Sequence, residues 1–162
     1  MIIMKEYLLE NPQVVVTLIL GITTLFVTFW FNTVNLKINR QKMEKDLFSE
    51  FNKRYDDLND SLTKLEGIET IEQLKATPSK IENKTMYIVL IDYFNLCAEQ
   101  YYWKKQKKFS TQIWNAWQSG MQFYFDTYPV VMKLWVDQTK NHNYKSFYLK
   151  ENIEFWMDSK NG

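Results

Sequence analysis

The sequence predicts an all-α protein: an N-terminal transmembrane helix that continues into a long stalk helix, followed by a helical bundle. Three observations carry this. No charged residue stands between Asn11 and Leu36. Apolar residues then recur every three or four positions as far as Leu65, the spacing of one helical face. And only four Gly and three Pro interrupt 162 residues, too few for the turns of an all-β chain. The expected boundaries are an N-terminal tail over 1–11, the membrane helix over 12–36, the stalk over 37–66 and the bundle over 67–162.

The uncharged run has 26 residues. At about 1.5 Å per residue it reaches about 39 Å, more than the roughly 30 Å of a bilayer's hydrocarbon core. It is too long for the apolar part of a cleaved leader and no small-x-small site follows it, so the anchor is expected to be retained. Asn11 and Pro12 suit a helix start, and Trp30 falls near the far membrane interface. Lys5 is the only basic residue before the run, whereas Lys37, Arg40, Lys42 and Lys45 follow it closely. That asymmetry places the C-terminal body in the cytoplasm and the N-terminus outside. Two Arg among 20 basic residues, with abundant Asn, are associated with AT-rich bacterial genomes, and the membrane would then be the bacterial inner membrane.

The stalk seam reads Leu36, Met43, Leu47, Phe51, Tyr55, Leu58, Leu62 and Leu65. Without Pro or Gly between Gly21 and Gly67, one rod of roughly 80 Å follows. Thr70 and Gln73 stand in capping-box positions for a short helix ending before Pro78. A helix is expected from about Ile81 to Lys107, another capped by Ser110, another opened by Pro129, and a last one from about Ser146.

Composition excludes much chemistry. One Cys and one His rule out a disulfide framework and a zinc finger within one chain, and no cofactor or metal site is expected. A formal charge of +1 gives no overall field for nucleic acid. No nucleophile elbow, phosphate-binding loop or HExxH pair is present, and no enzymatic activity is expected. Cys97, in an apolar run, reads as a buried small hydrophobe. Asp56, Asp57 and Asp60, interleaved with Lys53, Arg54 and Lys64, read as a solvated helix face.

Two patterns remain. At 100° per residue, Thr17, Gly21, Thr24, Thr28, Asn32 and Asn35 fall within an arc of about 80°, with Thr23 and Thr33 outside it. The arc could face lipid with its hydroxyls bonded to the helix's own carbonyls, pack helices in an oligomer, or line a weakly selective pore. The last two require a homo-oligomer. The second pattern is YYWKKQKK, where Lys104, Lys105, Lys107 and Lys108 adjoin Tyr101, Tyr102 and Trp103. It could contact RNA, but lysines at a helix C-terminus are explained by the dipole and a solvated loop, so direct nucleic-acid binding is not expected.

The membrane span, LFSEFNKRYDDLNDSL, YFNLCAEQYYWKKQKKFSTQIWNAWQSGM and the closing FW pair resemble a family of small, single-span bacterial proteins associated with antiphage defence. The layout is similar to that of the pore-forming, HEPN-like membrane accessory proteins of RNA-targeting type VI-B CRISPR systems. The resemblance implies a HEPN-like bundle, a homo-oligomeric pore in membrane lipid that depolarises the cell and enhances immunity, and an RNA-guided ribonuclease as functional partner. It carries over only Asn141 and His142, as degenerate remnants of an Arg and His pair, which implies that ribonuclease catalysis is lost. Two alternatives stand beside it: a membrane-tethered RNA-binding or ribonuclease module, and a passive membrane adaptor.

Overall fold

The structure, a computed structural model, describes residues 10–151 and 153–157. The tail expected over 1–11, with its flanking Lys5, lies up to residue 9 outside the described residues. The described chain is helical, without a strand, and divides into two compact units, Met1–Met43 and Glu44–Gly162.

Helix α1, Pro12–Leu62, is unbroken. Its apolar part has a window of mean hydropathy 2.3 with none of it buried, and is long and apolar enough to cross a membrane. The core helix of a soluble domain would be covered by its own protein. This one is not: Ile22, Phe29 and Trp30 are 67%, 72% and 64% exposed.

In the second unit the α1 seam is covered from Leu47 onward, while Leu36 stays exposed. Phe51, Leu58, Leu62 and Leu65 are core residues, so much of the expected stalk is the first helix of the body, which begins at Glu44. Asp56, Asp57 and Asp60 face solvent. After a 3-10 turn, Thr63–Leu65, Gly67 takes φ +79° and turns the chain, a conformation open to Gly at no steric cost. Helix α2, Ile71–Ala76, starts at the expected capping box of Thr70 and Gln73.

Helix α3, Met86–Lys105, begins five residues later than its hydrophobicity suggests. Residues 77–85 instead form a tight return: Pro78 and Thr85 pair as an isolated bridge, Ser79 N donates to the Lys84 carbonyl, and Asn83 takes φ 61°. The buried Ser61 hydroxyl accepts from Lys80 N at 3.1 Å and pins that return to α1. Buried residues cover a little over half the circumference of α3, from Leu96 and Val89 through Leu90 and Phe94 to Ala98, more than the single stripe of a surface helix. Ser110 caps α4, Thr111–Thr127, and Pro129 opens α5, Pro129–Thr139, both as the sequence predicts.

Among the described residues the last expected helix, from about Ser146, does not form as a continuous α-helix. From Lys140 the chain runs in 3-10 turns to Phe147, with Asn141 and His142 at φ 55° and 67° and Tyr148 at 59°. Of these left-handed residues Tyr148 falls within the expected helix and breaks its i to i−4 ladder, and among the described residues a short turn, Phe155–Met157, follows. It still delivers two core side chains. Trp156 stacks on Phe125 at 3.6 Å between ring centroids, and Trp135 meets both Trp156 and Phe155 edge to face. The indole N–H groups of Trp135 and Trp156 have no partner among the described residues; these two rings are held by packing, while the Gln118 amide donates to the Phe155 carbonyl.

Two outcomes follow. Trp135→Ala should destabilise the body by about 3–5 kcal/mol, read as a lower denaturant midpoint of the full chain in detergent. Burial also pushes the Cys97 thiol from an ordinary 9.0 up to about 12. The folded chain therefore keeps a proton that the unfolded chain sheds above pH 9, and stability should fall as pH rises from about 9 toward 12. At pH 8.5, iodoacetamide should label Cys97 only in denaturant.

Candidate functional site

Thr17, Gly21, Thr24, Thr28, Asn32 and Asn35 all lie in the unbroken part of α1, so the arc predicted from 100° per residue stands on one helix face. The hydroxyls of Thr17 and Thr24 donate to the carbonyls of Gln13 and Leu20 at 2.8 Å, as those of Thr23 and Thr33 do to Ile19 and Phe29. Such back-bonding satisfies the donor inside the helix and leaves the oxygen able to accept from a neighbour. A Cβ built on Gly21 would meet nothing within 4 Å, which leaves a gap on the same face into which a second helix can approach.

In the body, the half of α1 beyond Glu44 is held by polar side chains. Arg54 donates to both oxygens of Glu99 on α3, at 2.7 and 3.1 Å. That bond raises the Arg54 pKa above its ordinary value while burial opposes it. With about a third of each side chain exposed, the pair contributes on the order of 1 kcal/mol. Trp117 Nε1 donates to Asn52 at 3.0 Å, and the Tyr55 and Tyr124 hydroxyls lie 3.3 Å apart. A cavity of about 750 Å³ beside Arg54 is lined by Asp57, Lys84, Asp92 and Glu99 among others. Two of its three carboxylates are paired within the protein, Asp92 with Lys84 at 2.7 Å and Glu99 with Arg54.

Neither Asn141 nor His142 lines that cavity. They are exposed on the kinked turn after α5, where His142 Nδ1 lies 3.4 Å from the Tyr144 hydroxyl. Among the described residues, no group of three or more His, Cys, Asp or Glu is placed to hold a metal.

The lysine cluster has a more definite geometry. Helix α3 ends in a Schellman motif: Lys108 N donates to the Trp103 carbonyl, and Lys107 takes the left-handed position at φ 54°, where Gly is usual. This turn sets Lys104, Lys105 and Lys107 along one wall of an open groove of about 1360 Å³. Lys108 is not part of the wall. Lys150, from the C-terminal return, is, and no local pattern announced it. The Lys104 ammonium lies 5.4 Å from the Trp114 ring centre and that of Lys105 lies 5.5 Å from Tyr101. Glu44 accepts from Ser110 N at 2.7 Å and fixes the loop between the groove's two helices.

No family model, curated protein or solved structure matches the chain. The functional reading rests on the residues.

Lys107→Gly relieves a left-handed non-glycine residue and should raise stability by about 1 kcal/mol. A higher denaturant midpoint of the full chain checks this; an unchanged or lower one would mean that Lys107 sits there without strain.

Proposed function

We propose that the chain is a membrane-embedded, homo-oligomeric effector of bacterial antiviral defence. Its N-terminal helices gather into a pore that depolarises the inner membrane and enhances RNA-targeting CRISPR immunity. The body, a HEPN-like bundle that has lost catalysis, holds the copies together on the cytoplasmic side.

The observation that carries this reading is the uncovered apolar half of α1. Fourteen large apolar side chains between Val16 and Ile38 are exposed. At about 1.5–3 kcal/mol each, their transfer out of water is worth on the order of 20–40 kcal/mol, above the 5–15 kcal/mol that holds a typical domain together. Lipid supplies that burial. The Thr17 and Thr24 hydroxyls of the arc are satisfied within the helix; what favours further helices on that side is that six residues that are small, hydroxylated or amides gather there on a helix otherwise dominated by large apolar residues. In a ring of helices those residues face one another and a central path, and Lys37, Arg40, Lys42 and Lys45 anchor the inner end in anionic headgroups. The resemblance to small single-span defence proteins supports the same assignment.

Full-length protein reconstituted in liposomes should release an entrapped dye and run as an oligomer in detergent. Replacing Thr24 and Thr28 together with Leu should cut release at least threefold at equal incorporation. Intact vesicles containing a monomer, or unchanged flux in the double variant, would contradict the pore.

A further inference from the structure

We infer that the cavity beside Arg54 binds a small organic cation, an amine with a short apolar body, whose ammonium group is held by Asp57 and Asn95.

Four segments converge on this cavity of about 750 Å³: α1, the return over 77–85, α3 and the C-terminal return. Its volume falls inside the roughly 300–1,000 Å³ of a small-ligand site. Most of its charge is already engaged. Glu99 accepts from Arg54 at both of its oxygens, and Asp92 accepts from Lys84 at 2.7 Å. With those two pairs set aside, the carboxylate of Asp57 is the one charge left among the lining residues. Arg54 stands a helical turn before Asp57, but the carboxylates that act on its guanidinium are Glu99 first, then Glu50 and Asp92. Among the described residues Asp57 itself enters no ion pair.

Asn95 supplies the second group. It lies on the same face of α3 as Asp92 and Glu99, at spacings of three and four. It is half-buried, and its amide makes no hydrogen bond among the described residues. Its carbonyl is therefore open to accept from a ligand on the cavity wall. The floor is apolar: Leu58 and Leu96 are 7% and 1% exposed, and Ile81 packs against the core beside them. That surface suits a short hydrocarbon body. Tyr148 stands at the rim, 60% exposed, with its backbone held at φ 59°. Bulky residues rarely adopt that conformation, and the fold around them has to enforce it. Here it offers the cavity an aromatic face, which attracts cations.

The lining also decides against other ligands. An anion would meet the free carboxylate of Asp57 while both lining cations are engaged. Metal ions such as calcium take six or more oxygens, and among the described residues no group of three or more His, Cys, Asp or Glu is placed to hold one. A neutral apolar molecule would cover Asp57 without pairing it, which is costly. A protonated amine satisfies the carboxylate and the amide together. All the lining residues belong to the body, so the inference stands apart from the pore reading.

The test equilibrates radiolabelled phenethylamine against the full chain in maltoside micelles, with uptake by empty micelles subtracted. Saturable binding at one site per chain is expected. As a competitor, 2-phenylethanol, the uncharged isostere, should be about tenfold weaker than unlabelled amine, the scale of one hydrogen bond to a charged group. Asp57→Asn should weaken binding by about the same factor and Asn95→Ala by about threefold, each at an unchanged denaturant midpoint. Asp60→Asn, also exposed and one turn further along α1, should leave binding unchanged. Absence of saturable binding at millimolar amine would overturn the inference. So would an alcohol that competes as well as the amine, a comparison that needs no variant, since the cavity would then take up apolar molecules regardless of charge. Full binding by Asp57→Asn would likewise remove the carboxylate from the site, and displacement by magnesium as effective as by unlabelled amine would leave a bare carboxylate.

Discussion

Among the described residues nothing buries the apolar part of the longest helix, and the rest of the account depends on that. Between Asn11 and Leu36 there is no charge, and none of the apolar window is buried by the protein. The body's largest apolar side chains are committed to its own core: Trp135, Trp156, Phe94 and Phe155 are almost completely buried. We propose that lipid and further copies supply the span's burial.

The body is built to hold the other end of that helix firmly. Phe51, Leu58 and Leu62 enter the core, while Asn52, Arg54 and Tyr55 make polar contacts to α3 and α4. Apolar and polar residues on the same turns of α1 thus grip two neighbouring helices. Glu44, the first residue of the body, accepts from Ser110 N at the start of α4.

Local chemistry made much of the fold legible in advance. Thr70 with Gln73, Ser110 and Pro129 each mark a helix start, because the signal is a side chain that satisfies, or lacks, a backbone N–H within three residues. The seam from Leu47 to Leu65 was readable for the same reason, as a period on one helix. What it could not show is whether a stalk or a body covers that seam, which tertiary packing decides. Phe147, Ile153 and Phe155 suggest a helical face at the C-terminus, whereas among the described residues the left-handed backbone at Tyr148 interrupts it, and a lone tyrosine carries no local signal for that conformation. The groove was legible by half: the lysines are contiguous in sequence, but Lys150 joins them only through the fold.

The most direct test of the central claim is lipid contact along α1. In a Cys97→Ala background, single cysteines at positions 17, 24, 25, 28 and 29 carry an environment-sensitive fluorophore, and the full chain is placed in bilayers containing a spin-labelled lipid quencher. Quenching should be strong at 25 and 29 and weak at 17, 24 and 28, with the polar arc shielded by sister helices. Equal quenching at all five positions would show isolated helices in lipid, and no quenching anywhere would show that α1 does not enter the bilayer.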